Sequence, residues 1–162
     1  MKNLLIALIV IGSLITAGCP KGQKTVREFK EKSAEVTVYA VKLGEAFNKA
    51  FTDGVITREE LAIYDSVDRK FGAALKVYRE AIVAAEKVVN ETGKLPADVI
   101  LKVDKLLDVT VNAFLDLTVK LGVMSFAQSE TVRTILRAIQ MILLSLKTFV
   151  AEAKTYAEVN YV

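Results

Sequence analysis

Residues 130–158 read ETVRTILRAIQMILLSLKTFVAEAKTYAE, and the spacing of their apolar side chains decides the fold. Val132, Ile135, Ile139, Ile142, Leu146, Phe149, Ala153 and Tyr156 recur in alternating steps of three and four. That interval stacks side chains on one face of an α-helix. A second row, Leu136, Leu143, Val150 and Ala157, repeats every seven residues and widens the stripe beyond a two-position coiled-coil seam, as in a helix packed inside a bundle. Ala138 to Val150 is almost wholly apolar, but Gln140, Ser145 and Lys147 interrupt it and Arg137 precedes it. A bilayer span needs about 20 apolar residues, so a buried core helix is expected there.

Working back along the chain, the same period returns three times. Ile100, Leu107, Phe114 and Leu121 repeat every seven, flanked by Val103, Leu106 and Leu117. Before them come Tyr64, Val67, Phe71, Ala74, Tyr78, Ala81 and Ala85, and earlier still Phe29, Val36, Leu43 and Phe47. Start and stop signals divide the segments. Thr25-Val26-Arg27-Glu28 and Thr57-Arg58-Glu59-Glu60 have the form of capping boxes, and Ile56 with Leu61 is placed as a hydrophobic staple around the second. Asp53-Gly54, Gly93 and Gly122 mark ends; Pro96 and Ser125 mark beginnings. Helices are therefore expected at about 25–52, 57–92, 96–121 and 126–158. Short linkers favour antiparallel neighbours, which predicts an all-α, up-down-up-down four-helix bundle over residues 25–162.

Ahead of the bundle the pattern changes. Lys2 gives a positive start, Leu4 to Ile15 is an apolar run broken only by Gly12 and Ser13, and Thr16, Ala17 and Gly18 precede Cys19. A positive start, a short apolar stretch and a small-residue end make a secretory signal. Cys19 is the only cysteine of the chain, so no intramolecular disulfide can form. Its position after Ala17-Gly18 resembles the lipobox of bacterial lipoproteins, with Thr16 where that family prefers Leu. The resemblance implies removal of residues 1–18, diacylation of the Cys19 sulfur, commonly with palmitate, and anchoring to the extracytoplasmic face of a cell-envelope membrane. Pro20, in place of the family's inner-membrane retention Asp, implies an outer-membrane destination in a Gram-negative cell. Residues 19–24 are then expected to form a lipidated, polar tether.

Charge and composition exclude several function classes. The chain of 162 residues has 22 Lys+Arg against 19 Asp+Glu, a formal charge of +3, which provides no basic stripe for nucleic acid. It contains no His, so His-based acid–base catalysis, His-ligated metal and a Ser-His-Asp triad are all closed to it. The segment Asp53 to Glu60 resembles the second half of an EF-hand loop, yet Lys49 and Phe51 stand where that loop needs acidic ligands. Asp104, Asp108 and Asp116, with Asn112 between, repeat along one face opposite the apolar row and are expected to meet water. Asn112 and Gln140 lie among hydrophobic neighbours, either bonding across the core or sitting at its edge, and neither amide can titrate.

No catalytic residue, cofactor site or metal site is therefore expected, and Cys19 is the one modification site. Val38, Tyr39, Val41, Val77, Val83, Val109 and Val111 fall outside the main stripes, so some should reach the surface and mark a protein partner or homo-oligomer. The leading expectation is a membrane-anchored lipoprotein acting as a non-enzymatic structural or protein-interaction module. The alternative is a bundle that holds an apolar small molecule or lipid, with Phe114, Leu117, Ile139 and Leu143 lining the cavity.

Overall fold

A computed structural model describes residues 21–160, with side chains up to 155. Four helices follow one another: α1 (Lys21–Thr52), α2 (Arg58–Thr92), α3 (Ala97–Leu121) and α4 (Glu130–Asn160), with a 3₁₀ turn at Phe126–Gln128 before the last. No strand occurs among the described residues, and the β-branched run Val36-Thr37-Val38 is helical. Each helix packs on its sequence neighbours, and α4 closes the ring on α1.

Opposing directions can be read from individual contacts. Lys30 pairs with Glu86 and Arg79 reaches Thr37, so α1 and α2 run antiparallel. Asp104 pairs with Lys154 and Lys147 while Asp108 pairs with Lys147, which fixes the same relation for α3 and α4. The outcome is the expected up-down-up-down bundle. At 1.5 Å per residue its helices are about 40–50 Å long.

The buried rows are the ones the periodicity picks out. Leu43, Phe47, Tyr78, Ile82, Leu107, Leu117, Ile139 and Leu146 are fully enclosed. Phe47 stacks on Tyr64 with ring centres 4.2 Å apart and meets Phe126 edge-on at 5.2 Å, knitting α1, α2 and the α3–α4 connection together. Leaving such rings wet would be costly, since aromatic burial dominates core energetics.

Helix ends agree with the sequence at both ends of α2 and depart from it at the start of each of the other three helices. At Thr57 the capping box is complete: the Glu60 amide donates to Thr57 Oγ1 (3.1 Å) and the Thr57 amide donates to Glu60 Oε2 (2.8 Å). Gly93 closes α2 in the left-handed region, φ 71°, where a side chain would be strained.

The first helix does not open at Thr25. It begins at Lys21, so residues 21–24 are helix rather than tether, and Thr25 Oγ1 donates back to the Lys21 carbonyl at 3.0 Å. The cause is packing: Gly22 lies so close to Leu95 that a Cβ would stand 3.3 Å from the leucine backbone. Pro96 is the residue before α3 rather than its first helical residue. The last helix starts at Glu130, with Ser129 rather than Ser125 as its cap, because the intervening turn buries Ala127 and sets Phe126 against Phe47.

Candidate functional site

A groove of about 640 Å³ runs along the α1–α2 face. Its floor combines small residues with two buried aliphatic side chains. Ser33, Thr37, Ala40 and Gly44 line it from α1, and Gly72, Leu75 and Ile82 from α2. Charged residues form the rim: Asp68, Lys76, Arg79 and Glu80 on α2, with Lys30 on α1. Val41 and Val83, each 57% exposed, flank it.

Two glycines create this shape. A Cβ at Gly72 would meet nothing within 4 Å, so its absence leaves open space above the helix. A Cβ at Gly44 would come 3.3 Å from the Tyr64 hydroxyl, so that glycine lets α1 approach α2 closely.

Beneath the groove lies an electrostatic oddity. Tyr64 is 2% exposed and its hydroxyl is enclosed without a hydrogen-bond partner of good geometry. Burial, then the charge of nearby Asp68, pushes that phenol well above its usual range. Asp68 is itself raised above the ordinary carboxylate range, because burial and then the charge of Asp65 outweigh the opposing pull of the Tyr64 hydroxyl. No lysine or arginine forms an ion pair with Asp68 among the described residues. A partly buried carboxylate left this way favours an incoming cation.

On the opposite face, the α3 acidic row is the water-facing row the sequence suggested only in part: Asp108 and Asn112 are exposed, whereas Asp104 and Asp116 are partly buried. Asp104 has a side chain only 14% exposed and accepts from both Lys147 and Lys154 of α4. Asp108 accepts from Lys147 at 2.7 Å. Burial alone would raise Asp104, but the ammonium groups of Lys154 and Lys147 hold it below the usual carboxylate range. Burial would lower Lys147, and the two aspartates raise it. The cluster staples α3 to α4 and offers no unpaired base, so it is structural. It also faces Tyr78, whose hydroxyl is enclosed and pushed up by burial and then by the Asp104 charge.

The remaining expected positions are placed as follows. Cys19 and the segment 1–20 lie outside the described residues. Asn112 and Gln140 are both exposed, at the edge of the core rather than across it; among the described residues, the polar side chains buried in addition to the Tyr64 and Tyr78 hydroxyls are Ser33 and Thr110, bonded to the carbonyls of Lys30 and Leu106. Phe114, Leu117, Ile139 and Leu143 are packed to 2% exposure or less and do not line the groove.

The EF-hand-like segment is a tight helix–helix connection, with Gly54 at φ 70°. Among the described residues no three acidic or cysteine side chains gather as metal ligands would. Val38, Val41, Val77, Val83 and Val109 are exposed, whereas Tyr39 and Val111 pack against the core. In α4, Glu130–Thr155 is long and apolar enough to cross a membrane by composition alone. Ile139, Leu143, Leu146 and Val150 of that stretch are nevertheless enclosed by the other helices.

These features define an antiparallel helical bundle with a glycine-floored groove between its first two helices. No protein-family model, no curated protein and no solved structure matches the chain.

Proposed function

We propose that the protein is a membrane-tethered lipoprotein whose bundle acts as a non-enzymatic interaction module, docking another helix in the α1–α2 groove. The observation that carries this reading is the groove itself: an apolar, glycine-lowered trough with two exposed valines at its edge and an unpaired, partly buried acid on its rim. Apolar troughs of this kind suit the side chains of an amphipathic helix, with the surrounding charges setting register.

The tether is read from Ile15 to Cys19. Two or three acyl chains, at about 0.8 kcal/mol per buried methylene, hold a protein firmly to a bilayer. Because α1 begins at Lys21, the bundle would sit directly against its anchor with almost no slack.

A clickable palmitate analogue fed to cells producing the full chain tests the tether. Label is expected on the wild-type protein and absent from Cys19→Ser; equal labelling of both contradicts it.

A second reading is favoured by the groove volume, which falls in the ~300–1,000 Å³ range of small-molecule sites. An apolar or lipid ligand lying in the trough would displace a solvatochromic dye such as ANS from wild type and not from Gly72→Trp.

A further inference from the structure

Four charges on α2 reverse sign about a single glycine. Counting from Gly72, Asp68 and Lys76 stand four residues away on either side, and Asp65 and Arg79 stand seven away. With 3.6 residues per turn, offsets of four and seven fall within about 40° and 20° of the direction of Gly72, so all five share one stripe. The stripe faces outward: Asp65, Gly72, Lys76 and Arg79 are exposed, and Asp68 is partly so. Asp68, Gly72, Lys76 and Arg79 all line the groove. None of the four charged residues takes part in an ion pair among the described residues, and Arg79 reaches only the Thr37 hydroxyl.

We propose that the occupant of the groove is a second copy of this chain, seated antiparallel on α2 about a two-fold axis through Gly72. The proposal rests on reading the groove as a docking face. In an isologous contact of this kind, each position n residues before the axis faces the position n residues after it on the partner. Asp68 then meets the partner's Lys76 and Asp65 meets the partner's Arg79, each pair occurring twice. A parallel pairing would instead set like charge against like.

At the axis itself the surface is lowest, since Gly72 carries no side chain and has open space above it, so the two backbones can approach closely. Along this stripe of α2 the groove carries Asp68 before Gly72 and Lys76 with Arg79 after it, a sign reversal that an antiparallel copy complements, with Glu80 lying off the stripe beside Arg79. That copy also supplies a cation for Asp68, which the isolated chain leaves without one.

The pairing has a geometric consequence. Gly72 lies level with Ala40 and Gly44, about 20 residues along α1 from Lys21, or roughly 30 Å. The two amino ends of the pair are therefore about 60 Å apart, at opposite ends of the assembly. Both tethers reach one bilayer only when the rods lie along it.

The test uses the full chain in its own membranes, with cysteine placed at Gly72→Cys, where a residue on the axis meets its own copy. Oxidation is expected to give a disulfide-linked species of twice the chain mass, and no such species from the control Val119→Cys on α3, which is 69% exposed. Adding Lys76→Asp turns two attractions into repulsions and should cut the dimer yield about tenfold; adding Asp68→Lys as well should restore it. Sedimentation velocity of the detergent-solubilised wild type, giving a dimer mass, makes the same point without the cysteine.

The inference is overturned by a dimer yield no higher than the control, by a yield indifferent to the charge reversals, or by a monomer in sedimentation. A Gly72→Cys chain linked to a different protein overturns it while leaving the docking-face reading intact. Loss of palmitate label alone touches only the tether.

Discussion

Replacing Asp104 with Asn isolates the charge at the centre of the α3–α4 staple while keeping its shape. Asp104 is 14% exposed and its two lysine partners are 36% and 34% exposed, so the cluster lies between a surface pair and a buried one. Fully exposed ion pairs contribute about 0.2–1 kcal/mol and charged hydrogen bonds about 1.5–3 kcal/mol. Asn keeps one acceptor oxygen and loses the charge, which places the expected destabilisation at about 1.5–2 kcal/mol, or roughly 4–8 °C in Tm for a domain of this size.

The pH dependence gives an independent check. Asp104 titrates below its ordinary value of 3.8 in the folded chain, so its contribution is complete at neutral pH. That contribution is lost as pH falls from about 4 through the lowered value. Thermal melts followed by far-UV circular dichroism should thus show the gap between wild type and Asp104→Asn in full at pH 7 and narrowing progressively as the pH is taken below about 4. A gap below about 0.3 kcal/mol at neutral pH, within the scatter of a solvated surface site, refutes the staple.

Other perturbations test local parts of the account. Thr57→Ala removes the hydroxyl that caps α2 and should lower stability by about 1 kcal/mol in urea unfolding, with an unchanged m-value. Asp68→Asn removes a charge whose folded titration is raised, so it should stabilise the chain at pH 7 by about 0.3–1 kcal/mol at concentrations low enough to keep copies apart. For wild type the corresponding penalty is relieved as pH falls through the raised Asp68 value, so the advantage of Asn should fade in acid. A destabilised Asp68→Asn at neutral pH contradicts the assignment.

Much of the fold was legible because the helical stripes are local and strongly periodic. The rows through Leu107 and Leu146 name the core directly, and Thr57 with Glu60 is a cap whose two halves lie three residues apart. The errors came where a distant contact outweighed a local signal. Thr25 has a cap sequence, yet α1 starts earlier because Gly22 finds Leu95, more than 70 residues away. Ser125 has a cap sequence too, yet Phe126 is drawn to Phe47 and the helix waits for Ser129.

The aspartate row on α3 was visible, but its direction depended on how α4 is rotated and on the reach of Lys147 and Lys154. The groove was least legible of all. Gly44 and Gly72 become neighbours only through the register of α1 on α2. The sign reversal about Gly72 was present in the sequence, but it gains meaning only once that stripe is known to face outward.

The mass of the intact full chain recovered from the membranes of producing cells bears most directly on the tethered module. A polypeptide beginning at Cys19 and carrying a diacylglyceryl group on its sulfur is the expected species. A free Cys19 thiol, or a chain that still begins at Met1, would contradict the account.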